Sequence, residues 1–142
     1  MITFQAENIA FPPIKRNTIK RWIKEVATQY QKKVGDVHYI FCTDDRILEV
    51  NNQYLAHDYY TDIITFDYSE NEVISGDLFI SLDTVESNSK QFGTAYMEEL
   101  HRVMIHGVLH LCGLKDSTEE EAKNMREAED KALSLLQTPT NY

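Results

Sequence analysis

A chain of 142 residues that is 42% hydrophobic, 26% charged and 11% aromatic has the composition of one soluble globular domain, which excludes intrinsic disorder, collagen-like repetition and low complexity. No apolar run approaches the ~20 residues of a membrane span, residues 1–7 lack the basic and apolar regions of a signal peptide, and two cysteines make no disulfide framework, so the expectation is a cytoplasmic protein with Cys42 and Cys112 as reduced core thiols. The net charge of −9 is uneven: residues 1–60 carry eight Lys/Arg against seven Asp/Glu, residues 61–142 six against sixteen, and between residues 10 and 33 Lys15, Arg16, Lys20, Arg21, Lys24, Lys32 and Lys33 face Glu25 alone.

A strand around Ile2–Glu7 is expected first. Ile19, Trp22, Ile23, Val26, Ala27 and Tyr30 then follow the i, i+3, i+4 spacing of one apolar helix face, with the basic residues opposite and Gly35 as the stop. Val37–Cys42 reads as a strand, and Thr43 or Asp44 is suited to cap a helix running to about Leu55. Thr61–Phe66 and Gly76–Ser81 read as strands rich in β-branched or apolar residues, and Asp83 to about Phe92 as a weak helix. From Ala95 to Cys112 apolar residues cover almost every side, the mark of a helix buried in the core, and Gly113 suits its left-handed C-terminal position. A last helix opens on overlapping capping boxes, Ser117 with Glu120 and Thr118 with Glu121, and presents Ala122, Met125, Ala128, Ala132 and Leu135 to the core. Pro12-Pro13 and Pro139 mark flanks, and no internal repeat or linker divides the chain. The expected fold is a single mixed α/β (α+β) domain over residues 1–142, with about four strands, about five helices and a metal site on the buried helix.

That site rests on His106-Gly107-Val108-Leu109-His110-Leu111-Cys112-Gly113-Leu114-Lys115-Asp116. At about 100° per residue, His106 and His110 lie roughly 40° apart on one helix face and one turn apart along it, so both imidazoles reach one ion. Cys112 points away while the helix lasts, whereas Gly113 lets the chain fold back and return Asp116 to the histidines. A His₂Asp set leaves a fourth position for water, the arrangement of catalytic rather than structural zinc. The competing reading is a chance pair of core histidines; against it, two polar rings in an apolar helix are costly to bury without partners. A zincin protease carries Glu directly after its first histidine, and here that position is Gly107.

These residues resemble the YbeY-type endoribonucleases, whose pattern is close to H-G-x-L-H-L-x-G-Y-D-H and is matched from His106 through Gly113. The family's T-D-V-L-S-F-P and G-D-I-x-I-S strands are echoed by Thr61–Asp67 and Gly76–Ser81, and Met125 and Glu129 sit where its last helix places M and E, so the resemblance covers roughly residues 37–136. It implies one Zn²⁺ per chain held by His106, His110 and Asp116. It further implies hydrolysis of single-stranded RNA in 16S rRNA 3′ maturation and ribosome quality control, with ribosomal particles as partners and no DNA or membrane. Asp116 stands where the family has a third histidine, and Leu55 where it has an arginine suited to phosphate. His57, Arg102 and Lys90 are candidate replacements for that arginine. Asp77, Glu98 and Glu99 are available carboxylates for a general base, none of them assigned. The basic segment of residues 15–33 is the candidate for RNA phosphates, with a merely solvated face as the alternative. A competing function, from a different class, is a ribosome-assembly factor whose metal is only structural.

Overall fold

The computed structural model describes residues 1–55 and 61–137. In chain order they form β1 (Ile2–Ala6), α1 (Arg16–Gln29), β2 (Lys33–Cys42), α2 (Asp44–Leu55), β3 (Ile63–Asp67), β4 (Val73–Ser81), α3 (Leu82–Phe92), α4 (Tyr96–Leu111) and α5 (Glu119–Gln137). The sheet order is β1-β2-β4-β3. β1 and β4 run parallel to β2, with Phe4 opposite Tyr39 and Tyr39 opposite Leu78, while β3 is antiparallel to β4 with Thr65 opposite Leu78. The domain is therefore α+β, with a mixed four-stranded sheet and five helices.

Side chains alternate across the strands, so each face has its own partner helices. One face presents Ile2, Val37, Tyr39, Phe41, Ile74, Leu78 and Ile80. Against it pack Ile19, Trp22, Ile23, Val26 and Ala27 of α1 and the apolar side of α4, with α5 covering both helices. Trp22 Nε1 donates to the Ala132 carbonyl at 2.7 Å and Tyr39 Oη to the Met104 carbonyl at 2.9 Å, so the two largest polar-tipped core residues are satisfied across layers. The other face carries a smaller cluster of Cys42, Ile47, Val50 and Ile64 under α2. Both cysteines are buried and free, and burial pushes Cys42 up to about 12 and Cys112 up to about 11, which makes them inert thiols.

The structure corrects three local expectations. Gly35 does not stop α1. Gln31, at φ 57°, ends the helix in a Schellman turn, with Lys32 N–H on the Ala27 carbonyl at 2.9 Å and Gln31 N–H on Thr28 at 3.0 Å. Gly35 lies instead inside β2, at an irregularity between Val34 and Val37, where a Cβ would stand 2.5 Å from Ser75 Oγ. At the start of α5 only the Thr118–Glu121 box forms, both of its bonds at 3.0 Å, and Ala122 is exposed because the first turn stands off the core. Thr43 caps α2 through the Arg46 N–H at 3.2 Å, and Ser81 caps α3 through Thr84 at 3.2 Å. Among the described residues no helix is long and apolar enough to cross a membrane.

Gly76 on β4 faces α4, and a Cβ there would lie 2.5 Å from the Phe66 carbonyl oxygen and 3.0 Å from Leu111 Cδ2. The first obstacle is paired backbone that cannot step aside. Gly76→Ala is expected to lower unfolding free energy by about 2–3 kcal/mol, read as a reduced urea midpoint with unchanged slope.

Candidate metal centre

Gly107 sets how closely α4 lies on the sheet. A Cβ at that position would come within 2.9 Å of Ile63 Cδ1 and 3.1 Å of Leu78 Cδ2, so a residue without a side chain lets the helix settle onto β3 and β4. His106 precedes the contact and His110 follows one turn later, both part-buried on the flank of α4 that faces β3. Beyond them α4 closes in a Schellman turn: Gly113 N–H reaches the His110 carbonyl at 2.9 Å and Leu114 N–H the Leu109 carbonyl at 3.0 Å, with Gly113 at φ 106°. The turn reverses the chain and brings Asp116 back over the imidazoles. Its Oδ2 is 3.3 Å from His106 Nε2 and 3.5 Å from His110 Nε2.

Both outer ring nitrogens are already engaged. His110 Nδ1 donates to the Leu114 carbonyl at 3.0 Å, and since a carbonyl only accepts, the proton sits on Nδ1 and the Nε2 lone pair is free. His106 Nδ1 lies 2.6 Å from Glu129 Oε2, which fixes the same tautomer in the neutral ring. Two free Nε2 atoms and a carboxylate oxygen, all within 4.8 Å of one another, form a convergent donor set. Separations of 3.3 and 3.5 Å match the edge of about 3.3 Å expected between tetrahedral ligands with bonds near 2.0 Å. The three residues therefore fit a divalent ion.

Behind His106 stands a second layer. Glu129, 6% exposed on α5, accepts from His106 with one oxygen and from Arg102 Nη1 at 2.9 Å with the other, while Arg102 Nη2 donates to Asp130 at 2.7 Å. Burial pulls the His106 pKa down, but the Glu129 hydrogen bond and charge, with Asp116 and Asp62, outweigh it and leave the value raised above 6.5. Facing these groups across a cleft of about 750 Å³ are Thr61, Asp62, Ile63, Thr65 and Asp67. Burial pushes the Asp62 carboxyl up, against the opposing pull of His106 and of the N–H groups of Asp62 and Ile63. A second cavity, about 550 Å³ between α1, α4 and α5, holds His101 and Glu98 beside Lys15, Thr18 and apolar side chains, and among the described residues it gathers no comparable donor set.

The other candidates fall elsewhere. Asp77 sits one residue past Gly76 and so occupies the sheet face opposite α4. Glu98 is exposed on the rim of the second cavity. Glu99 is buried, its carboxyl pushed up first by burial and then by Asp62, with Arg102 and Arg126 opposing. Lys90 pairs with Glu86 at 3.3 Å on the surface, and Arg102 is committed to Glu129 and Asp130. His57 lies outside the described residues, and Leu55 is the last residue of α2. Sequence reasoning gave no role to Glu129 or Asp62. The signal for Glu129 was a carboxylate on the apolar side of α5, between Met125 and Ala132. For Asp62 it was an acid opening an otherwise apolar strand.

The Endoribonuclease YbeY family model matches residues 1–137. Two curated proteins named Endoribonuclease YbeY are similar over almost their whole length: one from Phocaeicola vulgatus, 61% identical over 96% of this chain and 99% of its own, and one from Bacteroides thetaiotaomicron, 58% identical over 94% and 98%. A solution structure from Thermotoga maritima, 24% identical, superimposes with a TM-score of 0.61 over 99% of this chain and 98% of that one, and so shares the fold.

Glu129→Gln is expected to weaken divalent-metal affinity roughly 10- to 100-fold, measured by competition with a chromogenic chelator. In the metal-free protein, the raised pKa means that protonated His106 stabilises the fold below pH 6.5 and that this contribution is lost as pH rises through the folded value. Urea midpoints of the metal-free protein at about pH 6 and pH 8 are expected to differ less in Glu129→Gln than in the wild type.

Proposed function

The chain belongs to the YbeY family of endoribonucleases, and on that footing we propose that it is a zinc-dependent, single-strand-specific endoribonuclease of the cytoplasm. Its substrate is the 3′ end of 16S rRNA, within ribosomal particles and their quality control. The observation that carries the reading is the convergence of His106 Nε2, His110 Nε2 and Asp116 Oδ2 with both Nδ1 atoms already occupied. These three residues hold one Zn²⁺. Bound there, the ion supplies Lewis-acid polarisation of a phosphoryl oxygen. The chain's own contribution is to fix the ring tautomers through Glu129 and the Leu114 carbonyl, and to leave an open cleft between β3 and the α4 turn where a phosphodiester fits.

RNA affinity comes from elsewhere on the surface. The cleft wall carries Asp62, Asp67 and Asp116 with Lys115 as its cation, which repels phosphates more than it attracts them. Lys15, Arg16, Arg21 and Lys24 are exposed on and just before α1, with the Arg16 guanidinium 4.3 Å over the Phe11 ring. Contacts from this helix to phosphates supply sequence-independent, salt-sensitive binding.

The competing reading, a non-catalytic assembly factor, is favoured by Asp116 in place of a neutral imidazole, because its charge weakens the metal as an acid. Labelled single-stranded RNA is expected to be cut by the wild type, to survive in chelator, and to survive with identically purified His106→Ala. A wild type that binds one metal per chain yet leaves RNA intact points to the assembly factor. For Asp116→His, the pH–rate profile is expected to shift to more acidic pH than the wild type's, and coincident profiles would remove that role for the Asp116 charge. Charge reversal of Arg16, Lys20 and Lys24 together is expected to weaken RNA binding and flatten its salt dependence.

A further inference from the structure

Asp62 is the cleft's least explained residue. It immediately precedes β3, and its backbone carbonyl accepts from Ser81 N–H at 2.9 Å, so the main chain is pinned to the far end of β4. Its neighbour Ile63 meets α4 at Gly107, the residue after His106. Because Asp62 lies just outside β3, strict strand alternation does not bind it, and its side chain lines the same cleft as the imidazoles, where the His106 charge acts on it. The nearby N–H groups of Asp62 and Ile63 favour its charged form. Among the described residues no ion pair engages it, and the Arg102 guanidinium is spent on Glu129 and Asp130. Of the two buried carboxylates among the described residues, Glu129 orients His106 and Glu99 does not line the cavity.

We propose that the Asp62 carboxylate is the proton acceptor of the RNA-cleavage reaction, placed to take the proton of the attacking hydroxyl. This rests on the nuclease reading above. The attacking oxygen gives its proton to a carboxylate oxygen of Asp62 and forms a new bond to phosphorus. The phosphorus–oxygen bond to the departing ribose oxygen breaks, its electron pair leaves with that oxygen, and solvent water supplies the proton that neutralises it. The aspartic acid then returns its proton to solvent, so no oxidant or further reactant enters. The titratable groups that share the cleft with it are Asp67, Lys115, Asp116 and the His106 and His110 rings, and the Glu99 and Glu129 charges reach it from behind.

The test uses purified, zinc-loaded full chain and a labelled single-stranded RNA, with Asp62→Asn and Asp62→Glu beside the wild type. Asn keeps the size of the side chain and an oxygen for the two N–H donors, so folding is preserved. The expected result is a kcat about 100-fold or more below wild type for Asp62→Asn, with KM and zinc stoichiometry within about threefold, and at least about tenfold recovery of kcat in Asp62→Glu. Cleavage by Asp62→Asn within threefold of wild type overturns the assignment and leaves the nuclease reading standing. So does a variant that loses zinc in parallel with activity, or a Glu variant no better than Asn, since either makes Asp62 a structural support. A zinc-loaded wild type that cuts no RNA overturns the nuclease reading and this inference with it.

Discussion

The close seat of α4 on the sheet is the constraint on which the rest depends. At Gly107 the helix approaches β3 and β4 so nearly that a single methyl would meet Ile63 and Leu78. This contact buries Leu100, Met104, Ile105 and Val108 completely, and burial of that apolar area is the dominant favourable term in folding. It also sets His106 and His110 facing Asp62 and Thr65 of the strand side instead of bulk solvent. Core packing and site geometry are thus one decision. The same contact explains why peptide-cleaving chemistry of the H-E-x-x-H kind has no place here: a glutamate side chain at position 107 would have to pass through the sheet.

Around that seat the protein arranges charge in layers. The convergent donor set of two imidazoles and one carboxylate is backed by Glu129, and Glu129 by Arg102, which forks to Asp130. A carboxylate that is 6% exposed would be costly to hold ionised alone, and Arg102 offsets that cost. The consequence is an imidazole fixed in orientation and tautomer by the protein itself. The His110 side is built differently. There the partner is the Leu114 carbonyl, freed by the left-handed turn at Gly113, so one ligand is oriented by a distant helix and the other by local backbone.

The distribution of charge divides the surface in two. The half of the chain that builds the cleft carries ten net negative charges, while α1 and its flanks carry the concentrated cations. The field of such a surface attracts polyanions at α1 and repels them at the acidic cleft.

Much of this was legible in the sequence, because it is written in local patterns. Apolar patterning, β-branched content and capping residues together gave all nine elements their type and most boundaries within about three residues, and the H-G-x-L-H spacing with Gly113 and Asp116 needed only the helix pitch and one glycine turn to be read as a candidate ligand set. Where local reading failed, a long-range contact had won. Gly35 looked like a helix stop, but a glutamine takes the left-handed position and the glycine is required by Ser75 across the sheet. Ala122 fits the apolar stripe of α5, but no layer reaches the first turn of that helix. What the sequence by itself determined is the α+β class, the buried helix and the three donors, since these follow from residue type and spacing along one or two turns. Only the tertiary structure decided that Glu129, 23 residues away from His106, stands behind that ring, that Asp62 faces the cleft, and that Asp77 turns to the other face. Those placements depend on sheet order and helix docking, which arise from burial summed over the whole core and leave no mark at any single position.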